Sequence, residues 1–96
     1  MSIPNRETVL NCLRQFLSST GRPNVALTES THLINDLGLT SDEGVDFVLD
    51  LCEAFGFDFP QDFNPFVHDD GRRGRRLGEM IRAVVSHVPA KQEVVT

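Results

Sequence analysis

Tryptophan and tyrosine are absent from this 96-residue chain, and cysteine occurs only twice, at Cys12 and Cys52. Two distant cysteines with no CxxC pair exclude a disulfide framework and a cysteine-rich zinc site. Free thiols point to a reducing compartment, the cytoplasm. No apolar run approaches the ~20 residues a membrane-spanning helix needs. Met1 to Thr8 lack the apolar stretch of a secretory leader. Positive charge is missing from the middle of the chain: no Lys or Arg stands between Pro23 and Gly71. With a net charge of −5 and a pI near 5.0, general nucleic-acid binding and attachment to anionic membranes are disfavoured. No P-loop, Ser-His-Asp arrangement or pair of catalytic carboxylates is legible, so the chain does not read as an enzyme. Consecutive His68-Asp69-Asp70 cannot easily converge on one metal ion, and His32 and His87 have no partners by spacing.

The remainder is ordinary soluble composition, 40% apolar and 24% charged, and its length suits one domain over residues 1–96. Val9, Leu10, Leu13, Phe16 and Leu17 share one face of a helix expected from about Asn5 to Ser18. Gly21 and Pro23 close it. A long connection, about Ser19 to Leu39, is pinned to the core by Leu27, Leu33, Ile34, Leu37 and Leu39, with a short helical turn near Leu33 to Asp36. Thr40-Ser41-Asp42-Glu43 is a capping box. It opens a second helix running to Phe55, whose buried face is expected to be Val45, Val48, Leu49, Cys52 and Phe55, with Gly56 as C-cap.

Six of the seven Phe lie between Phe47 and Phe66, so the core should be thickest there. Pro60 and Pro65 limit that stretch to a short turn around Gln61 to Phe63, a small fourth element. Phe57-Asp58-Phe59 alternates too briefly for a hairpin. His68 to Arg76 reads as an exposed loop. Leu77, Met80, Ile81, Val84, Val85 and Val88 then form the most regular apolar stripe in the chain, predicting a last helix from about Arg75 to Val88. Gly78 inside it points to close packing. Pro89 stops the helix, and residues 90–96 read as a frayed tail.

Charge is segregated along this framework. Asp42, Asp46, Asp50 and Glu53 fall on one stripe of the second helix, opposite its expected buried face. Like charges at i,i+4 weaken a helix by a few tenths of a kcal/mol per pair. The stripe is therefore either a docking face for basic partners or a solvated face that keeps the protein soluble. Arg72, Arg73, Arg75 and Arg76 form a second charge patch. With no Tyr or Trp nearby for base stacking, nucleic-acid binding is the weaker reading of this patch. Pairing with the acidic stripe, within the chain or between copies in a homo-oligomer, is the stronger one.

Asp36-Leu37-Gly38-Leu39-Thr40-Ser41, the acidic helix to Phe55, and Phe57-Asp58-Phe59-Pro60 together resemble an acyl carrier protein. The likeness is to small bacterial acyl-carrier-like proteins, and the Leu77-Gly78-Glu79-Met80-Ile81 run resembles the opening of that family's last helix. The resemblance implies an all-α, acyl-carrier-type three- or four-helix bundle with a long first loop. It implies Ser41 as the attachment site of 4'-phosphopantetheine, and the acidic helix as the dock for basic faces of partner enzymes. Two residues depart from the family's Asp-Ser-Leu. Thr40 can cap in place of Asp, but Asp42 stands where an apolar residue seats the arm-attaching enzyme, and a carboxylate weakens that contact. A phosphodiester on Ser41 would face the positive end of the helix, beside two carboxylates that repel it. The alternative is an unmodified interaction module that keeps the fold and docking face without the arm.

Overall fold

Three α-helices form where the apolar periodicity puts them: α1 over Pro4–Ser19, α2 over Ser41–Phe55 and α3 over Leu77–His87. The computed structural model describes residues 4–22, 25–68 and 70–88, and no strand occurs among them. The tail 90–96, the Pro89 stop and Asp69 lie outside the described residues. On α1, Val9, Leu13, Phe16 and Leu17 are buried as their spacing predicts. Helix α1 packs against both α2 and α3.

The 57–67 segment joins α2 to α3 through aromatic contacts. Phe66, fully buried, stacks on Phe47 of α2 with centroids 5.2 Å apart, and Phe16 of α1 meets both rings edge-on at 6.0 and 5.4 Å. Farther along, Phe59 contacts Phe55 of α2, and Phe63 lies 4.5 Å from the His87 ring of α3. Aromatic pairs at these separations add to the burial of their area. The expected small fourth element is a single turn, closed by the Phe63 N–H donating to Pro60 O at 3.1 Å. Pro60 and Pro65 prevent its extension.

The long first connection is held as expected. Leu33, Leu37 and Leu39 are buried, and Leu27 and Ile34 pack partly against the core. The helical turn is present: Asp36 and Gly38 N–H groups donate to His32 and Ile34 carbonyls, both at 2.9 Å. Glycine at 38 accommodates a φ of 73° that ends this turn.

Three expectations are corrected. Val45 and Leu49 do not lie on the buried face of α2; they are 60% and 67% exposed. Gly44, Phe47 and Leu51 are buried instead, with Val48, Cys52 and Phe55 at the margin. The aromatic triangle draws Phe47 inward and so turns the helix about its axis. Second, the loop expected over 68–76 is exposed at 70–73 and 76, but backbone hydrogen bonds tie it to the core. His68 N–H donates to Arg73 O at 2.8 Å, Arg75 N–H to Phe66 O at 2.9 Å, and Leu33 N–H to Arg75 O at 3.0 Å. The segment thus lies between the Phe66 strand-like stretch and the first loop, with isolated bridges at Val67–Gly74 and His32–Arg76. Third, Arg75 is buried, at 5% exposure, and α3 begins at Leu77 rather than Arg75. Close packing at Gly78 is realised: a Cβ there would stand 3.3 Å from Glu29.

Candidate functional site

The start of α2 is closed by reciprocal hydrogen bonds between Thr40 and Glu43. Thr40 Oγ1 accepts the Glu43 N–H at 3.1 Å, and Glu43 Oε1 accepts the Thr40 N–H at 3.0 Å. This is the capping box read from the sequence. Ser41 is the first helical residue and is exposed. Its hydroxyl makes no hydrogen bond among the described residues, so Oγ is available for chemistry. At the far end, Gly56 takes φ 76° and donates its N–H to Cys52 O at 2.8 Å.

Two side chains that sequence reasoning missed hold Ser41 in place. Arg22 lies under the loop that precedes it. Its Nε donates to Leu37 O at 2.9 Å, its NH2 to Gly38 O at 3.0 Å, and it pairs with Glu43 at 3.3 Å. One guanidinium thereby ties the Asp36-Leu37-Gly38 turn to the capping residue of α2. The only cue was that Arg22 is the last cation before the long cation-free stretch. Asn64 works from the other side. Its Nδ2 donates to Ser41 O at 2.9 Å, and its Oδ1 accepts the Phe66 N–H at 3.0 Å. Gly44 makes this approach geometrically feasible. A Cβ there would overlap Asn64 Oδ1 and stand 2.9 Å from Asn64 Cγ.

A cleft of about 450 Å³ is lined by Ser41, Asp62, Phe63, Asn64, His68 and His87, with Val67 beside them. His87 Nδ1 lies 2.9 Å from Ala83 O and His68 Nε2 lies 3.3 Å from Glu79. The histidines without partners by spacing therefore have partners in space. His32 has one too, as its Nδ1 accepts the Asn35 N–H at 3.0 Å.

Asp42, Asp46, Asp50 and Glu53 are all exposed, and none forms an ion pair among the described residues. Asp50 lines a second cleft, shared with Cys12 and Phe16 of α1. Partial burial, then the charges of Glu53 and Asp46, push its carboxyl above the usual carboxylate range. Burial and Asp50 likewise push the Cys12 thiol up, away from the thiolate. Val45 and Leu49 stand exposed beside these acids.

Arg75 stands apart from Arg72, Arg73 and Arg76, and among the described residues none of those three pairs with the acidic stripe. Arg75 turns inward, its NH1 donating to Asn64 O at 3.2 Å and its guanidinium 5.5 Å from the Phe63 centroid. Arg76 donates to Ser30 O at 2.7 Å, and Arg73 pairs with Asp70 at 3.3 Å. Asp70 accepts the Arg72 and Arg73 N–H groups, which together hold its carboxyl below the usual range. Proximity in sequence placed these cations together; tertiary hydrogen bonding draws Arg75 away from the other three.

No protein-family model, curated protein or solved structure matches this chain. Among the described residues no helix is long and apolar enough to cross a membrane, and no cluster of His, Cys, Asp and Glu suits a metal ion. Function is therefore argued from the site itself.

Proposed function

We propose that this chain is an acyl-carrier-type protein, with Ser41 as the attachment point of a phosphopantetheine arm and α2 as the docking helix for partner enzymes. The observation that carries this reading is the exposed Ser41 hydroxyl on the first turn of α2, without a hydrogen bond among the described residues and lining a cleft. The helix N-terminus favours an anion bonded there. The walls suit a pantetheine chain: Asn64, His68 and His87 offer polar atoms to amides, and Phe63 and Val67 offer apolar surface. When attached, the arm supplies a terminal thiol that carries acyl groups as thioesters. The residues of this chain present, orient and dock; partner enzymes perform the chemistry.

The face of α2 supports the docking role. Val45 and Leu49, both more than half exposed, lie among Asp42, Asp46 and Glu53. An apolar centre within a charged rim is the usual anatomy of a protein interface. The acids would steer a basic partner, and the apolar pair would bury against it. The aromatic filling between α2 and α3 leaves the core packed, so long acyl chains would be carried in the surface cleft or on the partner.

A second reading rests on Asp42. That exposed carboxylate follows Ser41 directly and, with Glu43, fills the first turn with negative charge. An interaction module without the arm would keep the docking face and lose nothing from this. Coexpression with a broad-specificity phosphopantetheinyl transferase, followed by intact-mass measurement of wild type and Ser41→Ala, separates the two. A one-arm mass gain in wild type alone supports the carrier. No gain in either protein leaves the interaction module.

A further inference from the structure

The arginine segment contributes to a cleft that the carrier reading does not use. It encloses about 460 Å³ and is walled by His32, His68, Arg72, Arg73, Arg76 and Glu79. Three arginines and one carboxylate, Glu79, line it, and Asp70, paired with Arg73, offsets a second charge, which leaves a local surplus of one positive charge in a chain whose net charge is −5. The one carboxylate is already occupied. Glu79 accepts the Arg76 N–H at 2.8 Å and pairs with His68 at 3.3 Å. These contacts hold it below the usual carboxylate range. The cations are less committed. Arg72 makes no side-chain hydrogen bond or ion pair among the described residues, and Arg73 meets Asp70 through Nε rather than through its terminal nitrogens.

The imidazole in the wall is also a donor. Because His32 Nδ1 accepts the Asn35 N–H, its Nε2 carries the ring proton. Gly74 shapes the wall, since a Cβ there would stand 2.8 Å from His32 Cε1 and 3.0 Å from Ile34. The cleft is thus donor-rich, positive in excess and of small-molecule size.

We propose that this cleft binds the phosphate group of a small phosphorylated ligand. An anionic phosphate complements the positive surplus, and its oxygens match the paired donors of guanidinium groups. The two clefts share His68 as a common wall, yet the inference does not depend on arm attachment. Titration calorimetry of the full chain at low ionic strength, with inorganic phosphate, pyrophosphate and malonate as probes, tests it. Saturable one-to-one binding of phosphate or pyrophosphate is expected, with malonate at least about tenfold weaker. Arg72→Gln with Arg73→Gln should weaken phosphate or pyrophosphate binding about ten- to hundredfold, since each charge-assisted contact contributes on that scale. Circular dichroism should show the double variant folded, and Ser41→Ala should bind the anion as wild type does.

Equal affinity for malonate, or unchanged affinity in the double variant, overturns the proposal. So does displacement of pyrophosphate by a single-stranded RNA at far lower concentration, which would assign the cleft to nucleic acid. A salt-sensitive dimer that occludes the anion and dissolves in the double variant would assign it instead to a second copy of this chain.

Discussion

Gly44→Ala should change sign with its background. In wild type the new methyl group would overlap Asn64 Oδ1 and crowd Cγ at 2.9 Å, so the amide must move. That movement breaks two hydrogen bonds, to Ser41 O at 2.9 Å and from the Phe66 N–H at 3.0 Å. The bond to Ser41 O contributes about 1 kcal/mol, and the part-buried Phe66 N–H left unpaired costs about 1–3 kcal/mol. Against this, alanine in place of glycine inside a helix stabilises by about 1 kcal/mol. The net expectation is a loss of about 1–3 kcal/mol. In an Asn64→Ala background the obstruction and both bonds are already gone, and the same substitution should stabilise by up to about 1 kcal/mol. Urea unfolding followed by circular dichroism gives all four corners of the cycle. Stabilisation by Gly44→Ala in both backgrounds would refute the view that Asn64 fastens the start of α2.

The remaining expectations concern the core, the charges and the docking face. Phe66→Ala should destabilise by about 3–5 kcal/mol, because it empties the centre of the aromatic triangle; thermal unfolding reads this, and a loss under 1 kcal/mol would contradict the packing. Asp50, whose carboxyl is pushed up in the fold, opposes folding when ionised. Asp50→Asn should therefore raise the urea midpoint at neutral pH, with the gain fading as pH falls below about 4, where the unfolded aspartate is also protonated. Glu79 runs the other way: its depressed carboxyl contributes stability above the ordinary glutamate range and loses it as pH falls through the folded value. Glu79→Gln should thus lower the midpoint at pH 7 and leave it unchanged near pH 2. Val45→Ser with Leu49→Ser should shift stability by no more than about 0.5 kcal/mol per site, since both side chains are exposed, while abolishing pull-down of a basic partner enzyme.

The helix ends were legible because their chemistry is local. Thr40 and Glu43 cap α2 within four residues, and Gly56 ends it, so short-range pattern sufficed. The four acids of α2 were placed on an exposed face for the same reason. The phase of the buried face was misread because Val45, Val48 and Leu49 offer an apolar arc that competes with Phe47 and Leu51. Only the contact of Phe47 with Phe16 and Phe66, from two other elements, decides between them. Arg75 was misread because its burial depends on Phe63 and Asn64, which no spacing rule connects to it. Arg22 and Asn64 escaped notice likewise: each supports Ser41 through backbone carbonyls, and carbonyl acceptors leave no trace in residue type.

The most direct measurement of the central claim is peptide mapping of the purified chain after incubation with coenzyme A and a promiscuous phosphopantetheinyl transferase. The account predicts one modified peptide, the one containing Ser41, and none from Ser41→Ala. A fully unmodified chain, or an arm found on any other serine, would contradict it.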